Sequence, residues 1–468
     1  VADLAYLSAT DAIALFRSGE LAPVELMAAV VERAQYTEPT VNAFTDKYFE
    51  DALDQARDAG DRYARGEARA LEGLPVAIKE EQPIAGLPWR EGSTLMRNTI
   101  ATQTHPIVER IMAAGGIVHA RTTTPEFCCA GFTHSDLWGI TRTPWNLDYS
   151  SGGSSGGSGA ALAAGSAMLA TGSDIGGSIR IPASFNGVVG FKPPYGRVPS
   201  MPPVNLDYYC QDGPLARTVA DCALLQNVIA GAHPMDPVSL PAVPPITIGS
   251  VAGLKVALCM NLGDYAVEPE VAMATQGAAD ILRDAGVKVE EIELPWTREE
   301  IMAAAWAHYG AIFAPMIEAA AGGREVLRYT RDFVERANSA GTFFDAMLIE
   351  AKIQDDLAKV FTRADALICP TSGIPALLAG EDYVDAPLIV NGVELSHNLE
   401  APLTIPFNVA SRCPALSVPS GLSENRVPIG LQVVGRPYDD ATVFAVGNVV
   451  ATANPWYVSK YLRPQGIA

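Results

Sequence analysis

Apolar and polar residues change their period several times along the chain, and each change marks an element. Ser8-Ala9-Thr10-Asp11 is a capping run, and positions 12–18 after it read as a first helix. Pro23 opens a second, with Leu26, Val30 and Ala34 at helical spacing, and 48–65 a third, charged on one face. The pattern then shortens to a buried strand at 74–78, closed by Lys79. A helix at 107–114, stopped by Gly115-Gly116, leads to a strand at 117–120. Helix, glycine, strand is the alternation of an α/β layered fold. It continues with a helix at 218–230, a strand at 254–259, a helix at 269–285 and a strand at 287–294. Helices near 299–320 and 344–363 and a strand at 366–369 come next. Asn391-Gly392 joins 387–390 to 393–396 as a two-residue hairpin. Strands at 415–418 and 429–434 and a helix at 440–452 close the pattern.

One stretch follows neither period. From Tyr149 to Asn186, Gly, Ser and Ala dominate, in two knots: Gly152-Gly153-Ser154-Ser155-Gly156-Gly157-Ser158 and Gly176-Gly177-Ser178. Positions 160–164 between them read as a short close-packed helix and 167–171 as a buried strand. A flexible linker would lack that apolar filling and the ordered Ile179-Arg180-Ile181-Pro182 that follows. A tight turn presenting a Ser hydroxyl beside free backbone N–H groups suits acyl transfer, which needs a nucleophile and oxyanion donors together.

Gly-Gly-Ser-Ser-Gly-Gly-Ser, followed by Gly-Ser-Asp-Ile-Gly-Gly-Ser-Ile-Arg-Ile-Pro-Ala, resembles the signature of the amidase signature family. That family uses a Lys–Ser–Ser set in which the middle Ser precedes the nucleophile by 24 positions. Ser154 and Ser178 stand 24 apart here, and Gly73-Leu74-Pro75-Val76-Ala77-Ile78-Lys79 fits the upstream Lys. The resemblance runs from about residue 23 to about residue 452. It implies one large α/β domain with a central mixed β-sheet covered by helices on both sides. Within it, 1–65 would be N-terminal helices on the core and 66–232 the signature core. Residues 233–468 would be the remainder, with peripheral helices and a substrate-pocket insertion, entered through the Pro-rich segment 233–245.

The resemblance assigns roles. Lys79, neutral through burial, would hydrogen-bond Ser154. Ser154, following a cis peptide bond, would relay a proton, and Ser178 would attack the carbonyl. Backbone N–H groups of Ile175, Gly176, Gly177 and Ser178 would hold the oxyanion. Phe127, Cys128, Gly153 and Ile181 would line the substrate site, and Asp174 and Arg180 would pair beneath the turn. No cofactor and no metal are implied. Position 181 is a Gln in subunits of glutamine-dependent tRNA amidotransferase; Ile181 points instead to an uncharged acyl group. The expected activity is hydrolysis of the C(=O)–N bond of a small uncharged carboxamide or a related anilide or hydrazide.

Two other readings remain open on the sequence. The chain could be an A-type subunit of a tRNA amidotransferase. Gly152-Gly-Ser154-Ser-Gly156 also satisfies the Gly-x-Ser-x-Gly elbow of a Ser-His esterase, with His105, His119, His134, His233, His308 and His397 to choose from. A Lys closing a strand could equally be a surface residue paired with Glu80 or Glu81.

Charge and cysteines narrow the setting. A net charge of −20 and the lack of a Lys/Arg run argue against a nucleic-acid partner. Seven Cys without Cys-x-x-Cys spacing suggest neither a disulfide framework nor a zinc site, and a reducing cytoplasm is expected. The apolar stretch 301–322 is broken by His308, Pro315 and Glu318, so a buried helix is expected there, with no membrane partner. Residues 1–16 lack the basic segment and apolar core of a secretory signal. Homodimers are common in the family, and no patch in the sequence marks an interface.

Overall fold

A computed structural model describes residues 4–453 and 455–467. Its frame is a mixed sheet of eleven strands. In chain order they are β1 (Phe44–Lys47), β2 (Pro75–Lys79), β3 (Ile117–Thr122), β4 (Leu169–Asp174), β5 (Val189–Lys192), β6 (Gln211–Ala216), β7 (Lys255–Leu258), β8 (Lys288–Glu291), β9 (Ala366–Pro370), β10 (Ala415–Leu422) and β11 (Pro428–Gly435). Across the sheet the order is β1-β3-β2-β4-β6-β5-β10-β11-β9-β7-β8. β2 runs parallel to both β3 and β4, with Val76 opposite Leu169 and Ala77 opposite Ala170. The middle of the sheet, from β4 through β11 to β9, is antiparallel, and β9, β7 and β8 are parallel again.

Side-chain alternation along the strands sorts the core between two faces. Val256, Leu258, Ile368 and Val433 enter one apolar cluster, shared with the helices Val219–Ile229, Pro269–Asp284 and Asp440–Ala453. Ala257, Leu367, Cys369 and Val434 enter another, shared with helices between Arg298 and Phe361. The protein is thus an α/β layered fold with helices on both sides of a mixed sheet, as expected. No described helix is long and apolar enough to cross a membrane. The seven cysteines are unpaired.

Four local departures stand out. The helix expected over 299–320 is two helices, Arg298–Ala311 and Phe313–Ala321, broken at Ile312 (φ −125°). Pro315 lacks an N–H and its ring would strike the carbonyl four residues back, so the second helix starts afresh. The strand expected over 287–294 covers only Lys288–Glu291, because Pro295 follows closely. The helix Arg328–Asn338 was not foreseen, although Tyr329, Phe333 and Ala337 are its buried stripe at intervals of four. β6 was also unforeseen: Pro214 sits in a strand with neighbours on both sides, against the usual confinement of proline to edges.

Candidate active site

The site collects at the C-terminal ends of the parallel strands β2 and β4. The register that sets Ala77 against Ala170 brings the end of β2 beside Thr171 and Ser173, which share one face of β4. Lys79 closes β2 with its side chain fully buried. The backbone N–H of Lys79 donates to Thr171 Oγ1 at 3.1 Å. Its Nζ donates to Ser154 Oγ at 2.8 Å and to Ser173 Oγ at 2.8 Å, and lies 2.6 Å from Glu81 Oε2.

Ser154 follows a cis peptide bond to Gly153 and precedes the helix Gly156–Ala164. A side chain at 153 would run into the backbone of Ala130 and Phe132, so only glycine fits there. Ser178 lies on the turn between β4 and the helix Arg180–Asn186 and is 8% exposed, against 1% for Ser154. The two seryl segments are stitched together by the Ser155 amide, which donates to the Ser178 carbonyl at 3.1 Å.

Asp174 shapes the turn. Its carboxylate accepts from the amides of Gly177 (2.8 Å) and Ile179 (3.2 Å) and pairs with both ends of the Arg180 guanidinium. Arg180 also donates to the Thr404 carbonyl and to Asn408 Oδ1, while Asn408 Nδ2 donates back to Asp174. Burial raises the Asp174 carboxyl, but Arg180 and Asn408 outweigh it and hold its pKa below the ordinary value. This meets the expectation of a pair beneath the turn. It also corrects the oxyanion set, because the Gly177 amide is already engaged by Asp174. The amides of Ile175, Gly176 and Ser178 have no acceptor among the described residues. Thr404 Oγ1 donates to the Gly176 carbonyl at 2.6 Å and Tyr309 OH to the Ile175 carbonyl at 3.3 Å, which fixes those peptide planes.

Glu81 borders a cavity of about 240 Å³ whose walls include none of Lys79, Ser154 and Ser178. Glu81, Trp89, Met96, Phe127, Phe313 and Ile317 are among its walls. Phe127 is one of these walls, and Cys128, Gly153 and Ile181 are not. Cys128 faces Glu81, its Sγ donating to Oε2 at 3.0 Å. Ile181 is 1% exposed and does not reach this cavity; it packs under the turn, against Gly152 and Gly177.

Electrostatics revise another expectation. Burial alone would depress the Lys79 amine, but Cys128 and Glu81 facing it raise the pKa above the ordinary lysine value. Burial pushes the Cys128 thiol well up, so it stays uncharged at neutral pH. The 2.6 Å contact with Glu81 Oε2 favours the ammonium form of Lys79, where a neutral amine was expected. The sequence alternatives of a buried lysine and a Glu81-paired lysine hold together.

Glu81 and Ser173 are the residues that sequence reasoning left out of the site. Two hydroxyls at alternate positions, Thr171 and Ser173, next to a strand ending in Lys were the signal for the second. None of the six histidines hydrogen-bonds Ser154 or Ser178. His119 meets the Ser166 carbonyl, and His105, His233, His308 and His397 pair with Asp212, Glu109, Asp207 and Asp332. His134 stacks on Phe132.

A buried Lys–Ser pair thus lies beside a seryl turn with free amides, at the strand ends of a layered α/β sheet. The Amidase family profile matches residues 25–444, and the chain belongs to the amidase signature family, hydrolases acting on C–N bonds. An A subunit of glutamyl-tRNA(Gln) amidotransferase from Chloroflexus aurantiacus is 35% identical, over 98% of this chain and 99% of the relative. A bacterial aryl acylamidase structure superposes with a TM-score of 0.89 at 26% identity, covering 98% of this chain and 99% of the other. 6-Aminohexanoate cyclic dimer hydrolase complexed with substrate gives 0.84 at 28% identity, covering 99% of this chain and 100% of the other.

Proposed function

We propose that this enzyme hydrolyses the C(=O)–N bond of a small, uncharged carboxamide or a related anilide or hydrazide through an ester on Ser178. The observation that carries this reading is the 2.8 Å hydrogen bond between Lys79 Nζ and Ser154 Oγ, with both residues buried. With Lys79 deprotonated, Ser154 passes the Ser178 proton to it as Ser178 attacks the carbonyl. The free amides of Ile175, Gly176 and Ser178 hold the oxyanion. The leaving amine takes the proton back through Ser154, and water cleaves the ester. The walls Trp89, Met96, Phe127 and Phe313 favour an apolar substrate, and the likeness to an aryl acylamidase favours an anilide among the candidates. Hydrolysis of aliphatic amides, anilides and hydrazides, screened with Ser178→Ala as control, tests the reading. Turnover that disappears in the variant supports it, and turnover that survives overturns it.

A second reading has the 35% identity to amidotransferase A subunits in its favour. Apolar Ile181 beneath the turn, in place of Gln, opposes it. Glutaminase activity and a stably co-purifying partner would establish it.

A further inference from the structure

The resting site holds Lys79 in a state that cannot act as a base. An ammonium has three N–H donors and no lone pair. Here the three are matched to three acceptors: Ser154 Oγ, Ser173 Oγ and Glu81 Oε2. Before Ser154 can hand over a proton, one must leave Nζ, and Glu81 Oε2, at 2.6 Å, is the nearest group that can take it. Glu81 is also the boundary residue of the site. Its side chain is 23% exposed and forms part of the apolar cavity wall, while Lys79 behind it is fully buried.

Resting on the reading above, we propose that Glu81 is the proton-holding partner of Lys79. When an apolar substrate fills the cavity, the Nζ–H bond to Glu81 breaks, an Oε2–H bond forms, and the ion pair becomes a neutral amine beside a neutral acid. The pair carries no net charge before or after, so no outside proton is needed. The driving force is desolvation. Water at the exposed edge of Glu81 stabilises the separated charges, and its displacement penalises both of them. Ser173 Oγ, which donates to Glu81 Oε2 at 2.8 Å and accepts from Nζ, keeps the two groups aligned through the transfer. The lone pair is freed on the Glu81 side, and rotation of the amine about Cε–Nζ turns it toward Ser154 Oγ. The base is thus switched on by the substrate, and when product leaves and water returns, Glu81 gives its proton back.

Other titratable groups face Glu81, and one of them, Glu91, titrates in the same range. Burial and Glu81 together push the Glu91 carboxyl, on the segment that follows β2, up to about 8. Burial raises the thiols of Cys128 and Cys210 well above their ordinary value. Asp212, on β6, is held 3.4 Å from His105. Lys192 shows what burial does to a lysine of this protein that has no carboxylate hydrogen-bonded to it. Its amine is bonded to carbonyl groups and its pKa falls to about 7.

The test is the pH dependence of Ser178 sulfonylation by phenylmethanesulfonyl fluoride, read by intact mass in the full-length wild type, Glu81→Gln, Glu81→Asp and Ser178→Ala. In the wild type, no acid limb is expected near neutral pH, because the pair passes its proton internally. In Glu81→Gln, Lys79 must lose its proton to solvent. The labelling rate then falls about tenfold per pH unit below the limb at which the Lys79 amine loses its proton, and meets the wild-type rate in alkali. Glu81→Asp restores the wild-type limb at a lower rate. A purely structural role would lower the Gln variant's rate equally at every pH, and that result overturns the proposal. So does a Gln profile that superimposes on the wild type or exceeds it throughout, since Glu81 would then be a bystander or a clamp. Matching thermal unfolding of the variants guards against misfolding, and Glu81→Ala, which also removes the acceptor, is read by the same criteria if Glu81→Gln does not fold. Failure of the wild type to label at Ser178, or equal labelling of Ser178→Ala, overturns the Ser178 reading and this proposal with it.

Discussion

Lys79 and Ser154, 75 residues apart in sequence, meet at 2.8 Å inside the protein, where the end of a strand faces the start of a helix. Neither residue has solvent to turn to, so each depends on the other and on the few groups packed around them.

Replacing Lys79 with Met removes the base and leaves a side chain of similar length. Turnover is expected to fall by about 10² to 10⁴, with KM little changed because Lys79 lies behind Ser154 and not in the cavity wall. Steady-state kinetics on the best amide from the screen, with thermal unfolding as a check, measure this. Single His→Ala changes that abolish turnover, with Lys79→Met active, would restore the esterase reading.

Ser173→Ala deletes the hydroxyl that bridges Lys79 and Glu81. A charge-assisted hydrogen bond of this kind contributes about 1.5–3 kcal/mol, so kcat is expected to drop at least tenfold. Its pH profile should sharpen as the ion pair loses alignment. Ser173→Thr keeps the hydroxyl and should recover most of the rate. Equal kcat values for Ser173→Ala and the wild type would remove Ser173 from the site.

Gly177 sits at φ +124°, and an added methyl there would meet Thr404 Cβ at 2.7 Å and Ile181 Cδ1 at 2.9 Å. Gly177→Ala must therefore shift the turn that carries the free amides. A displacement of about 1 Å costs about 10² in rate. The expected result is a large loss in kcat with the fold retained, measurable by kinetics and circular dichroism together.

Lys192 supplies a prediction about stability. Burial lowers its pKa from 10.5 to about 7 in the folded protein. Between those values the unfolded chain binds the extra proton, so this group makes stability rise with pH through that window. The slope is at most one proton, about 1.4 kcal/mol per pH unit. Urea unfolding at a series of pH values should show this slope in the wild type and its loss in Lys192→Met. An unchanged slope in the variant would mean that Lys192 is charged in the fold.

Much of this was legible because it depends on local order along the chain. Short apolar runs separated by helices and glycines gave the layered α/β class. The spacing of Ser154 and Ser178 with a lysine-ended strand gave the centre of the site. What escaped depends on groups brought together from afar. Glu81 reads as a surface partner in sequence, and only the cavity beside it and the neighbour strand at Ser173 give it another meaning. The Gly177 amide looked free until Asp174, three residues earlier, turned its carboxylate back onto it. Pro214 hid a central strand, since its register against Thr171 on β4 is decided by packing and not by local preference.

The central claim is that Ser178 is the residue acylated, with Ser154 only passing a proton. Acid-quenched turnover of an anilide substrate, digested and analysed by mass spectrometry, tests it most directly. The acyl mass is expected on the peptide at Ser178, with no acyl mass retained when Ser178 is Ala. An acyl group found on Ser154, or turnover of Ser178→Ala at the wild-type rate, would contradict it.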